Sequence, residues 1–284
     1  MTEAVPAMGR VSGKVALITG AARGQGRSHA VRLAEEGADI IAVDIAGQID
    51  AVPYELANSA DLAETVRLVE QAGGRILPFE ADVRDQHALD NAVSEGTSAF
   101  GPIGIVVANA GVSQSGMPVY KMSEEQWQTV FDVNVTGVWH TVKAAVPSMI
   151  EARRGGSIVF TSSSTGIKAR GRVGAYVSSK HALHGLMRNL AIDVAKHGIR
   201  VNTVNPTTVP TPMLLTDRMF RLFRPDLDDP RVEDVIDGFR SLNALPVPWV
   251  EPVDVSNAVV WLASEESRYV TGVVLPVDAG SVLL

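Results

Sequence analysis

A chain of 284 residues with a net charge of −7, 46% hydrophobic and 20% charged residues can pack one sizeable α/β domain and is too apolar for a disordered chain. Its acidic balance offers no overall basic surface for nucleic acid or anionic lipid, and no apolar run approaches the ~20 residues that span a bilayer. With no cysteine, disulfides, thiolate nucleophiles and Cys-ligated zinc are excluded, and a reducing compartment is permitted.

Met1 to Val11 lacks a cationic stretch followed by an apolar core, so no secretory leader is expected and the cytoplasm is the expected location. Lys14 to Gly20 is a short apolar run that stops at glycine, the pattern of a buried parallel strand. Thr19-Gly20-Ala21-Ala22-Arg23-Gly24-Gln25-Gly26 follows, then a helical pattern runs to Glu36 and ends at Gly37. Glycines between strand and helix let backbone approach a pyrophosphate, and the helix N-terminus supplies free N–H groups and a positive dipole end. A plain β-α turn is the simpler reading of the same residues. The second strand, Asp39 to Val43, is followed by Asp44. A carboxylate there can accept both ribose hydroxyls of adenosine and would repel a 2′-phosphate, favouring NAD over NADP. A turn-capping Asp is the plainer alternative, and Arg23 is a cation able to meet a 2′-phosphate.

A helix fits Asp61 to Gln71, which leaves Ile45 to Ser59 longer than most β-α connections. It either covers the adenosine end or is a surface loop. The third strand, Arg75 to Phe79, leads to Ala81-Asp82-Val83, where Asp82 is placed to hold the adenine amine. A helix over Gln86 to Phe100 precedes the fourth strand, Ile103 to Val107, and small residues in Asn109-Ala110-Gly111 let adenine lie flat. A long helix, Glu124 to Arg153, carries Asn134 among Phe131, Val133, Val135 and Trp139. A polar side chain there needs a partner, either in the core or in a water of a proton chain.

The fifth apolar run, Ser157 to Phe160, leads to Ser162, Ser163 and Ser164. After a glycine-rich loop, Tyr176 and Lys180 head a helix that runs to about Lys196. Four residues apart, they share one helix face. Free Tyr and Lys titrate near ~10 and ~10.4. At ~4 Å and an effective dielectric of ~20, a cation stabilises a phenolate by about 4 kcal/mol. That is about 3 pKa units, enough to bring a phenol to neutrality. The sixth strand, Ile199 to Val204, precedes Asn205-Pro206. Residues 207–250 read as an irregular apolar segment, with Met213, Leu214, Met219, Phe220 and Phe223 among prolines. It is either a lid over an apolar ligand or an oligomer contact. A helix over Asp254 to Ser264 and a strand over Val273 to Val277 close the chain. Of the six histidines only His181 and His184 share helical spacing, and no carboxylate completes a metal set. Strands alternating with helices, without repeat or linker, imply a single-domain, doubly wound Rossmann fold over residues 1–284: a parallel seven-stranded sheet with helices on both faces.

Thr19-Gly20-x-x-x-Gly24-x-Gly26, Asn109-Ala110-Gly111, Asn134, Ser163, Tyr176-x-x-x-Lys180 and Asn205-Pro206, in that order, resemble the classical short-chain dehydrogenase/reductase family over residues 12–280. The resemblance implies Tyr176 as general acid/base, Ser163 as holder of the substrate oxygen, Lys180 on the ribose and lowering the Tyr pKa, and Asn134 anchoring a relay water. Ser163 is preferred to Ser162 and Ser164 because it lies thirteen residues before Tyr176, the family's spacing. The implied NAD contacts are Gly20, Arg23, Gly24, Gln25, Gly26, Asp44, Ile45, Asp82, Val83, Asn109, Ala110, Gly111, Tyr176, Lys180, Pro206, Val209, Thr211 and Met213, with no metal. The family usually has glycine after the strand-ending proline; here it is Thr207.

The long segment after Asp44, Thr207-Thr208-Val209-Pro210-Thr211-Pro212-Met213 and Leu275-Pro276-Val277-Asp278-Ala279-Gly280 look like the mycofactocin-associated, carveol-dehydrogenase-like subgroup. That likeness implies a tightly held NAD, covered by residues 45–75 and re-oxidised in place by a peptide-derived redox carrier, and a homotetramer. The expected activity is interconversion of a secondary alcohol, terpenoid or cyclic, and its ketone, with residues 207–250 over the substrate. An NADPH-dependent carbonyl reductase is the nearest alternative. A nucleotide-sensing protein would have no use for Asn134, Ser163, Tyr176 and Lys180 together, nor would a Rossmann methyltransferase for the Tyr–Lys pair.

Overall fold

The computed structural model describes residues 9–114 and 116–284, so the reading of the N-terminus lies outside them up to residue 8. Seven parallel strands form one sheet in the order β3-β2-β1-β4-β5-β6-β7: β1 Val15–Thr19, β2 Asp39–Asp44, β3 Ile76–Glu80, β4 Ile103–Ala108, β5 Gly156–Thr161, β6 Ile199–Pro206 and β7 Val274–Val277. The central strands are apolar without alternation because helices cover both faces: every residue of β1 is buried. The two edge strands are only half-buried, and each carries a proline, Pro78 in β3 and Pro276 in β7. Proline donates nothing to a ladder and is tolerated at an edge.

Helices α1 (Gly24–Glu35), α2 (Ser59–Gln71) and α9 (Pro252–Ala263) pack on one face, where Ile18, Leu33, Ile40 and Val260 are fully buried. On the other lie α3 (Gln86–Phe100), α4 (Glu124–Phe131), α5 (Gly137–Ala152) and α6 (Gly174–Val194), around Leu17, Ile41, Leu89 and Phe160. Asn58 starts α2 with a reciprocal capping box to Asp61. The doubly wound parallel fold is as expected, but two expectations of detail differ. The single helix over Glu124 to Arg153 is interrupted at Asp132–Thr136 by a π-helical turn that contains Asn134. Residues 207–250 are not irregular throughout: they hold α7 (Asp217–Phe223), capped by Thr216, and α8 (Val232–Arg240). Phe223 and Phe239 close these two helices together at 4.6 Å between ring centroids.

Thr19 stands opposite Val43 in β2 and Ala108 in β4, so these strands end level with one another. The strand order reverses between β1 and β4, the place where doubly wound sheets bind ligands.

Candidate active site

A cleft opens at those strand ends, and most residues singled out in the sequence line it. Gly20, Arg23, Gly24 and Gln25 come from the first turn, Asp44 and Ile45 from the end of β2, and Asp82 and Val83 from beyond β3. Asn109, Ala110 and Gly111 follow β4; Ser163, Tyr176 and Lys180 follow β5; Pro206, Thr211 and Met213 follow β6. Three do not line it. Gly26 lies under the turn, where a Cβ would overlap the Gly20 carbonyl oxygen. Asn134 is fully buried behind Gly111, and Val209 lines a neighbouring chamber instead. Gly20 itself has φ +67°, and a Cβ there would stand 2.8 Å from Ala110 Cα, so only glycine lets the turn close. Asn109 braces that turn: its Nδ2 donates to the Thr19 and Gly20 carbonyls at 3.1 and 3.2 Å.

The Asp44 carboxylate is buried and accepts Ala22 N–H at 2.9 Å and Ala46 N–H at 3.1 Å. Burial pushes its pKa up against these two hydrogen bonds. Arg23 turns its guanidinium to the Glu55 carbonyl oxygen. Asp82 is paired with Arg84 at 2.6 Å.

Lys180, 3% exposed, donates to the Thr161 carbonyl at 2.7 Å, and its Nζ lies 5.5 Å from the centre of the Tyr176 ring. The ammonium therefore sits over the ring. Burial raises the phenol, a hydrogen bond with Ser163 partly offsets this, and burial lowers the ammonium to about 8. The lowering implied by the Lys180 spacing is not what the buried phenol shows here: desolvation is its largest influence and moves it up. Ser163 Oγ accepts from Thr165 N–H at 3.1 Å, which fixes the hydroxyl beside the phenol. Behind it, Asn205 Nδ2 donates to the Ser163 carbonyl at 3.0 Å and lies 2.8 Å from His184 Nε2, so the Asn205-Pro206 pair props the serine loop. His184 is buried, and burial lowers its pKa to about 4. Asn134 uses its carboxamide on protein: Oδ1 accepts Val112 N–H at 2.8 Å, and Nδ2 donates to Val112 O at 2.9 Å and Ser179 Oγ at 3.1 Å. Thr207 needs no glycine-like conformation, and its hydroxyl donates to Asn243 Oδ1 at 3.0 Å.

Residues 45–58 form a strap along the cleft, which Ile49, Tyr54, Leu56 and Ala57 help to line. Gln48 ties the strap to itself: Nε2 reaches the Ile49, Val52 and Tyr54 carbonyls at 3.2 Å each, and Oε1 accepts Leu56 N–H at 3.0 Å. Tyr54 accepts Ser113 N–H at 3.0 Å, and Gln114 reaches the Ala51 carbonyl. These contacts join residues distant in sequence, and no local pattern signals them.

A dinucleotide suits this set of residues. The Gly20 turn admits close backbone approach, and two buried acceptors that line the cleft, Gln25 Oε1 and Thr161 Oγ1, have no protein partner. Ser163 and Tyr176 also line a second, apolar chamber of about 740 Å³, walled by Met213, Leu214, Met219, Leu222 and Phe223. That volume is in the range of small-molecule pockets. Among the described residues no cluster of metal ligands is present and no helix is long and apolar enough to cross a membrane.

Residues 14–220 match the family described as short chain dehydrogenase. The chain is 48% identical over 276 residues to (−)-trans-carveol dehydrogenase of Rhodococcus erythropolis, covering 97% of this chain and all of that protein. Among solved structures, carveol dehydrogenase from Mycobacterium avium in complex with NAD superposes with a TM-score of 0.96 at 55% identity, over 97% of this chain and 100% of that one. A short chain dehydrogenase from Mycobacterium paratuberculosis bound to NAD gives 0.88 at 46% identity, with the same coverage of each chain.

Proposed function

This chain belongs to the short-chain dehydrogenase/reductase family, in its carveol-dehydrogenase-like branch, and from that membership we propose that it is an NAD-dependent dehydrogenase interconverting a secondary alcohol, terpenoid or cyclic, and its ketone. The observation that carries the reading is the shared wall: Ser163 and Tyr176 face both the dinucleotide cleft and the apolar chamber. NAD, when bound, supplies the hydride acceptor and a positive nicotinamide beside the phenol. Tyr176 takes the carbinol proton at its phenolic oxygen, or returns it in ketone reduction. Ser163 steadies the same substrate oxygen, held in place by Thr165 and by Asn205 through the serine loop. Lys180 carries the cation that holds the ribose and offsets the cost of a buried phenolate. With its carboxamide N–H groups committed, Asn134 would hold a relay water through its remaining acceptors. A panel of cyclic secondary alcohols with an artificial electron acceptor tests the reading; turnover of none of them would sink it.

NAD is favoured over NADP by two observations. Asp44 stands at the end of β2, and Arg23 is engaged by the strap, which competes with any use on a 2′-phosphate. Asp44→Ala is expected to raise the NADP/NAD ratio of kcat/KM by about tenfold or more, the scale of one charge-assisted contact. An unchanged ratio would show that the ribose contact lies elsewhere.

The strap over the cleft supports a retained NAD, and the likeness to the mycofactocin-associated subgroup is what suggests its recycling in place by a peptide-derived carrier. Exposed Trp127 and Trp139 on α4 and α5, 36% and 45% exposed, support a tetramer through those helices. Native mass spectrometry of the protein as purified is expected to show a mass near four times 30.2 kDa with nicotinamide dinucleotide still bound. A bare monomer would contradict both.

A further inference from the structure

We propose that the apolar chamber ends in an anion subsite, so that the alcohol this enzyme takes is an apolar body carrying a carboxylate or another anionic group; the inference rests on the dehydrogenase reading above. Arg170, Arg172, Arg218 and Arg221 line the chamber, and no aspartate or glutamate does. This happens in a chain whose 32 acidic residues outnumber its 25 basic ones. Several surface arginines elsewhere are paired with carboxylates, Arg67 with Glu64, Arg75 with Asp39, Arg224 with Asp226 and Arg240 with Asp237, whereas Arg153, Arg154, Arg188 and Arg268 are exposed with no such pair recorded among the described residues. What sets the chamber apart is four arginines gathered in its lining without an acid. No ion pair is recorded among the described residues for Arg172 or Arg221, and Arg170 spends a donor on the neutral Ser281 hydroxyl at 2.8 Å. The acids in the neighbourhood, Glu55 and Asp217, line a smaller outer cleft next to Arg218 and Arg221 and do not line the chamber.

The backbone holds this cationic edge in place. Arg172 has φ +64°, and its carbonyl accepts Gly116 N–H at 2.9 Å. Arg218 packs its guanidinium against Gly116, where a Cβ would come within 3.1 Å of it. A guanidinium fork matches a planar carboxylate or a phosphate, and here Arg172 and Arg221 stand exposed at the chamber's mouth with Arg170 and Arg218 half-buried beside them. A neutral terpenoid would use the apolar wall and gain nothing from these cations.

The test uses the holoenzyme and three probes built on one 4-alkylcyclohexanol: the side chain ending in a carboxylate, its methyl ester, and a phosphate monoester. At low salt the carboxylate is expected to exceed the ester at least tenfold in kcat/KM, chiefly through KM. The ratio is expected to collapse towards one in the Arg172→Gln, Arg221→Gln double variant and to shrink with added salt. A phosphate ester preferred to the carboxylate would keep the subsite and identify phosphate as its anion. Equal use of acid and neutral ester by the wild type, or a ratio that survives the double variant, overturns the proposal. Calorimetry with the hydroxyl-free alkylcyclohexane carboxylate and its ester separates the two readings. If none of the alcohols turns over, the dehydrogenase reading fails, while tighter binding of the acid, lost in the variant, still supports the subsite and equal binding rejects it.

Discussion

Tyr176→Phe is expected to lower kcat by about 10²–10⁴-fold while the protein still holds NAD, the range that general acid/base catalysis contributes. The substitution keeps the ring that packs under Lys180 Nζ at 5.5 Å and deletes only the hydroxyl bonded to Ser163. Binding of a dinucleotide should survive, because the first turn, Asp44 and the strap are untouched. The burial that raises this phenol sharpens the prediction. A neutral phenol is the resting form, ready to donate a proton to a ketone. In alcohol oxidation it becomes a competent base only when cations offset the cost of its buried anion. Turnover close to wild type in this variant, with cofactor content unchanged, would remove Tyr176 from the chemistry.

Acid is expected to destabilise the fold through His29, on a scale of about 5 kcal/mol as an upper figure between pH 6.5 and 3. His29 is fully buried between α1 and α9, and burial alone lowers its pKa to about 3. His29 Nδ1 lies 2.8 Å from Ser256 Oγ, a hydroxyl that also reaches Ser28 Oγ at 2.7 Å and the Pro252 carbonyl at 2.9 Å. Nε2 is left buried without a partner, and charging it would put a cation into an apolar interface. The unfolded chain takes up this proton near pH 6.5 and the folded chain only near pH 3, so the stability is complete above 6.5 and is lost as pH falls through that window. His184, lowered to about 4, adds in the upper part of it. Urea midpoints measured from pH 7 to 4 should fall more steeply for wild type than for His29→Gln. Parallel slopes would show that another group controls acid unfolding.

Most of the scaffold was legible because strand and helix periodicities agree with the turn chemistry at each junction. Gly20 and Gly26 read as a tight turn, and the structure leaves no room for a side chain at either. The edge strands with prolines and the buried central strands follow from the same patterns. What escaped the sequence depends on contacts between distant residues. The π turn at Asp132–Thr136 lies within good helical periodicity, and its Asn134 is clasped by Val112 and Ser179 from other elements. Helices α7 and α8 are short and bracketed by prolines, and they pack through Phe223 on Phe239. The burial of Tyr176 was not legible, because spacing shows that a cation is near but not how dry the site is. The arginine edge of the chamber comes from two stretches some fifty residues apart, and neither looks unusual alone.

Gln48 gives the strap a stitch that needs no ligand to hold it: all four of its hydrogen bonds fall within residues 48–56. Such a stitch keeps the strap's own shape, while Tyr54 with Ser113 and Gln114 with Ala51 are the bonds that join it to the segment after β4. The strap can therefore lift as a preformed piece once those joins open, and amide-hydrogen exchange at Ser113 would read the free energy of that opening.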